Sequence, residues 1–147
     1  MTLWRDELRA AGLRVTQPRL AVLAEVSEHP HSDVDDIAAG ARSRLGGSLS
    51  TQAVYDVVNA LTEAGILRLF RPIGSPARFE LQTGDNHHHL VCRSCGGITD
   101  VECAVGRAPC LHASDDAGYR IDEAEVTFWG TCPNCQVSNR PTDWRSA

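Results

Sequence analysis

Lysine is absent from this 147-residue chain, so all 14 of its basic side chains are arginines. A guanidinium suits bidentate contacts with phosphate and guanine better than an ammonium group does. The chain also lacks any apolar run near the ~18–20 residues of a membrane span. Its first residues, MTLWRDELRAAG, carry acidic side chains and no apolar segment of the kind found in secretion signals. We therefore expect a cytoplasmic protein with no membrane partner.

The net charge of −5 is unevenly distributed along the chain. Residues 1–80 carry nine Arg and ten Asp or Glu, a net charge of −1, whereas residues 81–147 carry five Arg and nine acidic residues, a net charge of −4. Only the nearly neutral half is a plausible DNA binder, and it requires its arginines on one face. Hydrophobic residues make up 42% and charged residues 22%, which is typical of a globular rather than a disordered chain.

Helical periodicity dominates the first 65 residues. Glycine ends and Ser/Thr caps predict four helices: residues 2–11, a helix capped by Thr16 that runs to Glu28, one capped by Ser32, and one capped by Ser50 or Thr51 that ends at Gly65. Residues 66–70 and 78–81 follow as two strands joined by a turn rich in Pro and Gly. Helices followed by a two-stranded hairpin are the pattern of a winged helix-turn-helix.

The second half has a period of two, which indicates strands at 87–92, 98–102 and 121–129. A short helix is predicted between about residues 110 and 116, and residues 137–147 are predicted to form a loose tail. The sequence thus predicts an α+β protein with a winged-helix DNA-binding domain at 1–82, a hinge at 83–86, and a small α/β domain at 87–147.

Six cysteines in a reducing cytosol indicate metal or redox chemistry rather than a disulfide framework. The pairs Cys92-x2-Cys95 and Cys132-x2-Cys135 can form two knuckles around one tetrahedral S4 site, the donor set of structural Zn²⁺. The alternatives are two separate redox pairs or buried free thiols. Cys103 and Cys110 remain outside this pattern and are interpreted as ordinary thiols with a lesser chance of a redox role.

Three consecutive histidines precede the first knuckle. On a strand, His87 and His89 lie on one face and His88 on the other. Two imidazoles with nearby carboxylates are a harder ligand set than S4, suited to Fe²⁺, Mn²⁺ or Zn²⁺. A polar surface tract is the alternative, and His31 by spacing alone indicates a solvated loop. The carboxylates close enough in sequence to complete the site are Glu80, Asp85, Asp100 and Glu102.

The helix that begins near residue 51 is the candidate recognition helix. Its predicted outward face offers Gln52, Tyr55 and Asn59, which can contact base edges or phosphates. An ordinary solvated helix surface is the alternative. Five arginines lie at predicted loop ends and in the hairpin, where a winged helix meets the DNA backbone: Arg14, Arg19, Arg68, Arg71 and Arg78.

The order of these motifs resembles the ferric uptake regulator (Fur) family. The similarity covers nearly the whole chain and includes GLRVTQPRLAVL, STQAVYDVVNALTEAGIL, ARFEL, HHHLVCRSCG and CPNC. The segment DNHHHLVCRSCGGITDVECAVGRAPC is similar to the FurA/CatR-like subgroup, regulators linked to catalase-peroxidase genes and peroxide stress.

The resemblance implies a homodimeric repressor that binds a palindromic double-stranded operator when metal-loaded. It places Arg14 in the minor groove and Tyr55 in the major groove. His88 matches a third metal site of some members, but Ala124 stands where that site usually has a histidine. The resemblance puts structural zinc on the four CxxC cysteines, and a regulatory Fe²⁺ or Mn²⁺, with Zn²⁺ as a substitute, on His31, Glu80, His87, His89 and Asp100.

Other functions compatible with these residues are a zinc-uptake repressor and a thiol-based redox-sensing repressor that uses its CxxC pairs. A zinc hydrolase is disfavoured, because the chain contains no H-E-x-x-H motif. A site with three to five protein ligands also leaves little room for a catalytic water. We therefore predict a regulator rather than an enzyme.

Overall fold

The computed structural model describes residues 2–138, so the predicted tail from residue 139 onward lies outside the described residues. The chain divides into two compact units, Met1–Thr83 and Gly84–Ala147. The first unit contains, in order, α1 (Thr2–Ala10), α2 (Gln17–Glu28), α3 (Val34–Leu45), α4 (Thr51–Glu63), β1 (Leu67–Phe70) and β2 (Arg78–Leu81). The predicted helix–hairpin order of a winged helix is confirmed.

Side-chain caps begin three of these helices. Thr16 and Ser50 accept hydrogen bonds from the N–H groups of residues three positions later, as the sequence indicated. The predicted Ser32 cap is wrong, because the carboxylate of Asp33 caps α3 by accepting from the N–H of Asp36 at 2.9 Å. The Ser32 hydroxyl instead donates to the carbonyl oxygen of His29.

The core of the first unit lies between the helices and the hairpin, and Leu8, Leu23, Ile37 and Leu61 are fully buried. Leu3, near the start of α1, is 70% exposed. Leu8 is the buried side chain of α1, and Trp4 rather than Leu3 packs beside it against the core. The inner face of α4 contributes Val54, Val58 and Leu61, which are all fully buried.

The antiparallel hairpin β1–β2 is joined to the loop before α3 by a short bridge between Ser32 and Phe79. The N–H of His31 donates to the carbonyl oxygen of Phe79, and the N–H of Phe79 donates to that of Ser32. Residues almost fifty positions apart are thereby neighbours, and Glu80 on β2 comes next to His31.

The second unit contains a three-stranded sheet of order β4–β3–β5, with β3 at His87–Cys92, β4 at Ile98–Glu102 and β5 at Thr127–Gly130. β3 pairs antiparallel with β4 and parallel with β5. A short helix that the sequence did not indicate, α5 (Pro133–Val137), follows β5. Helices plus sheets give the predicted α+β class.

Two predictions in the second unit are wrong. The strand predicted at 121–129 begins only at Thr127, and no helix forms over 110–116. Residues 111–123 are all exposed, so their apolar side chains have no surface on which a strand face or helix stripe could be buried. Among the described residues, every helix is too short or too polar to cross a membrane.

Candidate functional site

Sheet topology brings the two cysteine knuckles together. Parallel pairing aligns Cys92 at the end of β3 with Gly130 at the end of β5. Because parallel strands end at the same edge of a sheet, the residues that follow each strand meet there. The Cys92–Cys95 turn and the segment that leads to Cys132 and Cys135 therefore converge.

The four sulfur atoms of Cys92, Cys95, Cys132 and Cys135 all lie within 4.8 Å of one another. Cys95 Sγ and Cys132 Sγ are 3.8 Å apart. A tetrahedral zinc site with Zn–S bonds of ~2.3 Å has sulfur–sulfur edges of about 3.8 Å. All four cysteines are free thiols, so the cluster has the donor set and the spacing of a closed S4 zinc site.

Hydrogen bonds shift the pKa values of Cys92 and Cys135 in opposite directions. The pKa of Cys92 is lowered to about 6, chiefly because the N–H of Cys132 donates to its sulfur, with a further contribution from the N–H of Cys95. The pKa of Cys135 is raised to about 12, first by its hydrogen bond with Cys132 and then by desolvation. Ionising all four thiols side by side requires a compensating positive charge, which a divalent cation supplies.

In the first unit, His31 and Glu80 form a buried pair in which His31 Nε2 lies 3.2 Å from Glu80 Oε2. The Glu80 side chain is 5% exposed, and Arg68 Nε lies 3.9 Å from its other oxygen. His31 has a backbone φ of +66°, which is uncommon for a residue other than glycine and concentrates at functional sites. From spacing alone, His31 was predicted only to lie in a solvated loop.

In the second unit, the β3–β4 register places His89 directly opposite Asp100. Asp100 Oδ1 lies 3.5 Å from His89 Nε2 and 3.7 Å from His87 Nε2. The two imidazole rings meet edge to face with centroids 5.2 Å apart, which confirms their placement on one face of β3. Nδ1 of His87 also contacts Asp85 Oδ1 at 2.9 Å, while Glu102 is the register partner of His87.

His88 lies on the other face of β3, where its Nε2 is 3.1 Å from Cys110 Sγ. The donor atoms of His88, Cys103 and Cys110 all lie within 4.8 Å of one another. Hydrogen bonds from the N–H groups of Gly106 and Val105 lower the pKa of Cys103. The sequence interpretation of Cys103 and Cys110 as unrelated thiols missed this cluster, because the connection that closes it has no periodic pattern.

The exposed face of α4 carries the side chains that were predicted to contact DNA: Gln52, Tyr55 and Asn59 are all exposed. The acidic residue on this face, Asp56, accepts a hydrogen bond from Gln52 Nε2 at 3.0 Å. The hydrogen bond from Gln52 therefore gives the Asp56 carboxylate a partner on the surface that a DNA phosphate would approach.

Arg14 in the loop before α2 and Arg19 in the first turn of α2 are in different environments. Arg14 is exposed, whereas Arg19 is half-buried and donates from Nη1 to the carbonyl oxygen of Arg14 at 2.7 Å. Arg19 therefore holds the loop that presents Arg14. In the hairpin, Arg71 is exposed, whereas Arg78 donates to Ser75 Oγ and to the carbonyl oxygen of His31.

The chain is similar to known proteins over most of its length. The model of the ferric uptake regulator family matches residues 10–129. The chain belongs to the ferric uptake regulator family. The resemblance inferred from the sequence motifs is thereby confirmed, and this Fur-family chain is a metal-binding, DNA-binding transcription regulator.

Individual Fur-family proteins match this chain over most of its length. Transcriptional regulator FurA of Mycobacterium tuberculosis is 57% identical over 136 residues, which cover 92% of each protein. Ferric uptake regulation protein 1 of Mycolicibacterium fortuitum is 58% identical over 124 residues, which cover 84% of this chain and 76% of that protein. The crystal structure of the Vibrio cholerae ferric uptake regulator matches with a TM-score of 0.65 and 28% identity, and covers 87% of this chain and 98% of that chain.

Proposed function

We propose that the protein is a cytoplasmic, metal-dependent repressor that binds a palindromic operator as a homodimer. The regulatory ion is Fe²⁺ or Mn²⁺, and zinc on the four CxxC cysteines is structural. The protein acts as a regulator and not as an enzyme. The observation that carries this proposal is that each compact unit holds its own imidazole–carboxylate group, His31–Glu80 in the first and His87, His89 and Asp100 in the second.

These two groups are of one chemical kind. Each joins imidazole nitrogen to carboxylate oxygen, the ligand set of Fe²⁺, Mn²⁺ or Zn²⁺. An ion that takes ligands from both groups links the winged-helix unit to the second unit. Metal binding then selects one arrangement of the units, as a ligand selects the conformation that it binds best. In a dimer this arrangement sets the separation of two recognition helices, which must match half-sites about one helical turn apart.

The DNA contacts that we propose are made by side chains that are exposed on the first unit. Tyr55, Gln52 and Asn59 on α4 read base edges or phosphates in the major groove, and Arg14 reaches the adjacent minor groove. Arg19 supports Arg14 through its hydrogen bond to the Arg14 carbonyl oxygen. All of these groups belong to the half with a net charge of −1, which repels DNA less than the second half with its net charge of −4.

Operator binding measured against buffered free metal tests this function. Fluorescence anisotropy with a labelled operator should show binding at lower free Fe²⁺ or Mn²⁺ for the wild type than for His89→Ala, which should keep its fold and its tightly held zinc. His112→Ala, at an exposed histidine outside the proposed sites, is the matched control. Metal-dependent binding by His89→Ala equal to that of the wild type would reject the regulatory site.

The same titration separates an iron-type repressor from a zinc-uptake repressor. If Zn²⁺ is the metal that gives operator binding at the lowest free concentration, the protein is a zinc regulator. Activation by Fe²⁺ or Mn²⁺ at concentrations where buffered Zn²⁺ is inactive supports the iron type.

We also propose that the repressor responds to peroxide through its regulatory ligands. Fe²⁺ held by these residues would promote oxidation by hydrogen peroxide, whereas Mn²⁺ does not readily support this chemistry. One oxygen atom of the peroxide is added to an imidazole carbon of His31 or His87, and the other leaves as water. An oxidised imidazole is a poorer ligand, so the two units are released and repression ends.

Peptide mass mapping of peroxide-treated protein tests this response. Added oxygen on His31 or His87 in the Fe²⁺ form, and its absence in the Mn²⁺ form, is the expected result. Disulfides with intact histidines, equal in both metal forms, would instead support the alternative of a thiol-based switch.

A further inference from the structure

The inner side of β3 carries a cluster of soft ligands that is separate from both the four-cysteine cluster and the His87/His89 face. The His88 side chain is buried, and its Nε2 lies 3.1 Å from Cys110 Sγ. Cys103 follows β4 immediately, and its sulfur completes a group of three donor atoms within 4.8 Å of one another. One imidazole and two thiols meet at one point.

A hydrogen bond between a buried imidazole and a thiol would explain the His88–Cys110 contact alone. It does not explain why a second thiol converges on the same point from the other end of the 103–110 loop. Two thiolates and one imidazole are a set of three protein ligands found around zinc, which completes its tetrahedron with water or another small ligand. Both cysteines are half-buried free thiols, so solvent can reach the fourth position.

The connection between β4 and β5 provides a second reason for an anchor at this point. None of the residues from 103 to 126 is buried, and the apolar side chains of Val105, Leu111 and Tyr119 are between 54% and 76% exposed. A segment of this length with no buried apolar side chain gains little from the hydrophobic effect. Metal ligation can supply the missing stabilisation, because the free energy of binding such an ion is also free energy of folding.

We propose that His88, Cys103 and Cys110 bind a further zinc ion through Nε2 and two Sγ atoms, with the fourth coordination position open. Three protein ligands hold zinc less tightly than the closed S4 cluster, so this ion exchanges more readily. Its structural effect is to attach the β4–β5 connection to the sheet. The ligand set also differs from the family's third site, which Ala124 leaves without its usual histidine. In this chain, Cys103 and Cys110 of the β4–β5 connection supply ligands in place of the missing histidine.

Cobalt substitution in the full-length protein tests the site without relying on operator binding. Thiolate-to-Co²⁺ charge-transfer absorption reports only ions bound by cysteine, so the histidine–carboxylate ligands do not contribute to it. The wild type should bind two thiolate-ligated Co²⁺ ions per chain. The Cys103→Ser/Cys110→Ser double variant should bind one, with about a third of the charge-transfer intensity lost, since two of six thiolates are removed.

Two further variants separate ligation from folding. Cys103→His replaces one ligand by another and should retain the second ion with altered visible bands, whereas Cys103→Ser should lose it. His88→Ala should lose the same ion, and all variants should keep the absorption of the S4 cluster, which shows that the unit is folded. Equal cobalt stoichiometry and equal charge-transfer intensity in the wild type and the double variant would overturn the proposal.

Trypsin provides an independent readout, because a chain without lysine is cut only after arginine. Arg107 and Arg120 lie in the β4–β5 connection. Zinc-loaded wild type should be cut at Arg107 several-fold more slowly than the double variant, and a chelator that removes only the exchangeable zinc should abolish this difference. Unchanged cleavage rates at Arg107 with and without the second ion would contradict the proposed anchor.

Discussion

The N–H of Cys132 donates a hydrogen bond to Cys92 Sγ across 3.3 Å, although the two residues lie forty positions apart. This contact joins the two knuckles and lowers the pKa of Cys92 to about 6. The lowered pKa favours the thiolate form of Cys92, which is the form that binds a cation.

Cys132→Ser should remove one of the four sulfur ligands, while the backbone N–H that donates to Cys92 remains. We expect the loss of roughly one tightly held zinc per chain and unfolding of the second unit, because zinc binding free energy in such sites is folding free energy. Zinc analysis after chelator treatment and circular dichroism measure both effects. Asn134→Ala, at an exposed position in the same knuckle, is the control and should keep its zinc and fold. A folded Cys132→Ser protein with unchanged tight zinc would refute the S4 assignment.

Arg14→Ala should weaken binding to all DNA sequences and reduce the magnitude of the salt slope by about one unit, because one arginine placed in the minor groove or on a phosphate releases about one counterion. Anisotropy titrations over a range of salt concentrations measure this slope. Arg9→Ala is the matched control, since Arg9 is exposed on α1 and pairs with Asp6. If Arg14→Ala has the wild-type slope with normal metal loading, Arg14 lies outside the interface.

Gly40 in α3 lies against the carboxylate of Glu25, and a Cβ at this position would overlap that carboxylate. Glu25 cannot move aside freely, because His29 Nδ1 and Arg44 Nε hold its oxygens at 2.9 and 3.0 Å. Gly40→Ala should therefore destabilise the first unit by about 1–3 kcal/mol, although the same change in a helix open to solvent stabilises it by about 1 kcal/mol.

A double-mutant cycle with Glu25→Ala isolates this overlap. In the Glu25→Ala background the added methyl group has space, so Gly40→Ala should become neutral or stabilising. Chemical unfolding followed by the helical circular dichroism signal measures the four proteins. An equal loss of stability from Gly40→Ala in both backgrounds would show that the cost does not come from Glu25.

Arg44 lowers the pKa of Glu28 below its ordinary value of 4.5, first through a hydrogen bond and then through its charge. Nη2 of Arg44 lies 2.6 Å from Glu28 Oε2. Because the pKa is lowered on folding, the pair stabilises the folded state above pH 4.5, and this contribution is lost as the pH falls through the lowered pKa.

NMR titration of the Glu28 carboxyl carbon tests this pair directly. In Arg44→Gln the pKa of Glu28 should rise toward 4.5, whereas Arg9→Gln should leave it unchanged. No change in the Glu28 titration when Arg44 is replaced would show that the ion pair is not formed in solution.

Local sequence signals were sufficient where a feature depends on adjacent residues. Thr16 and Ser50 cap their helices as predicted, because a capping side chain needs only the amide three residues later. β3 spans His87–Cys92 as predicted, although burial along it does not alternate, since His88 and His89 are both buried. The spacing within each CxxC pair likewise determines that both thiols of a knuckle can face one ion.

Tertiary contacts decided the features that depend on distant residues. Ser32 is engaged in the bridge to Phe79, and Asp33 rather than Ser32 caps α3. The same bridge brings His31 beside Glu80. The alternation over 121–126 predicted a strand, but a strand requires a hydrogen-bonded neighbour, and pairing with β3 begins only at Thr127. The cluster of His88 with Cys103 and Cys110 also has no local signature. It forms because the β3–β4 register and the path of an aperiodic loop bring the three side chains to one point, and neither can be derived from residue spacing.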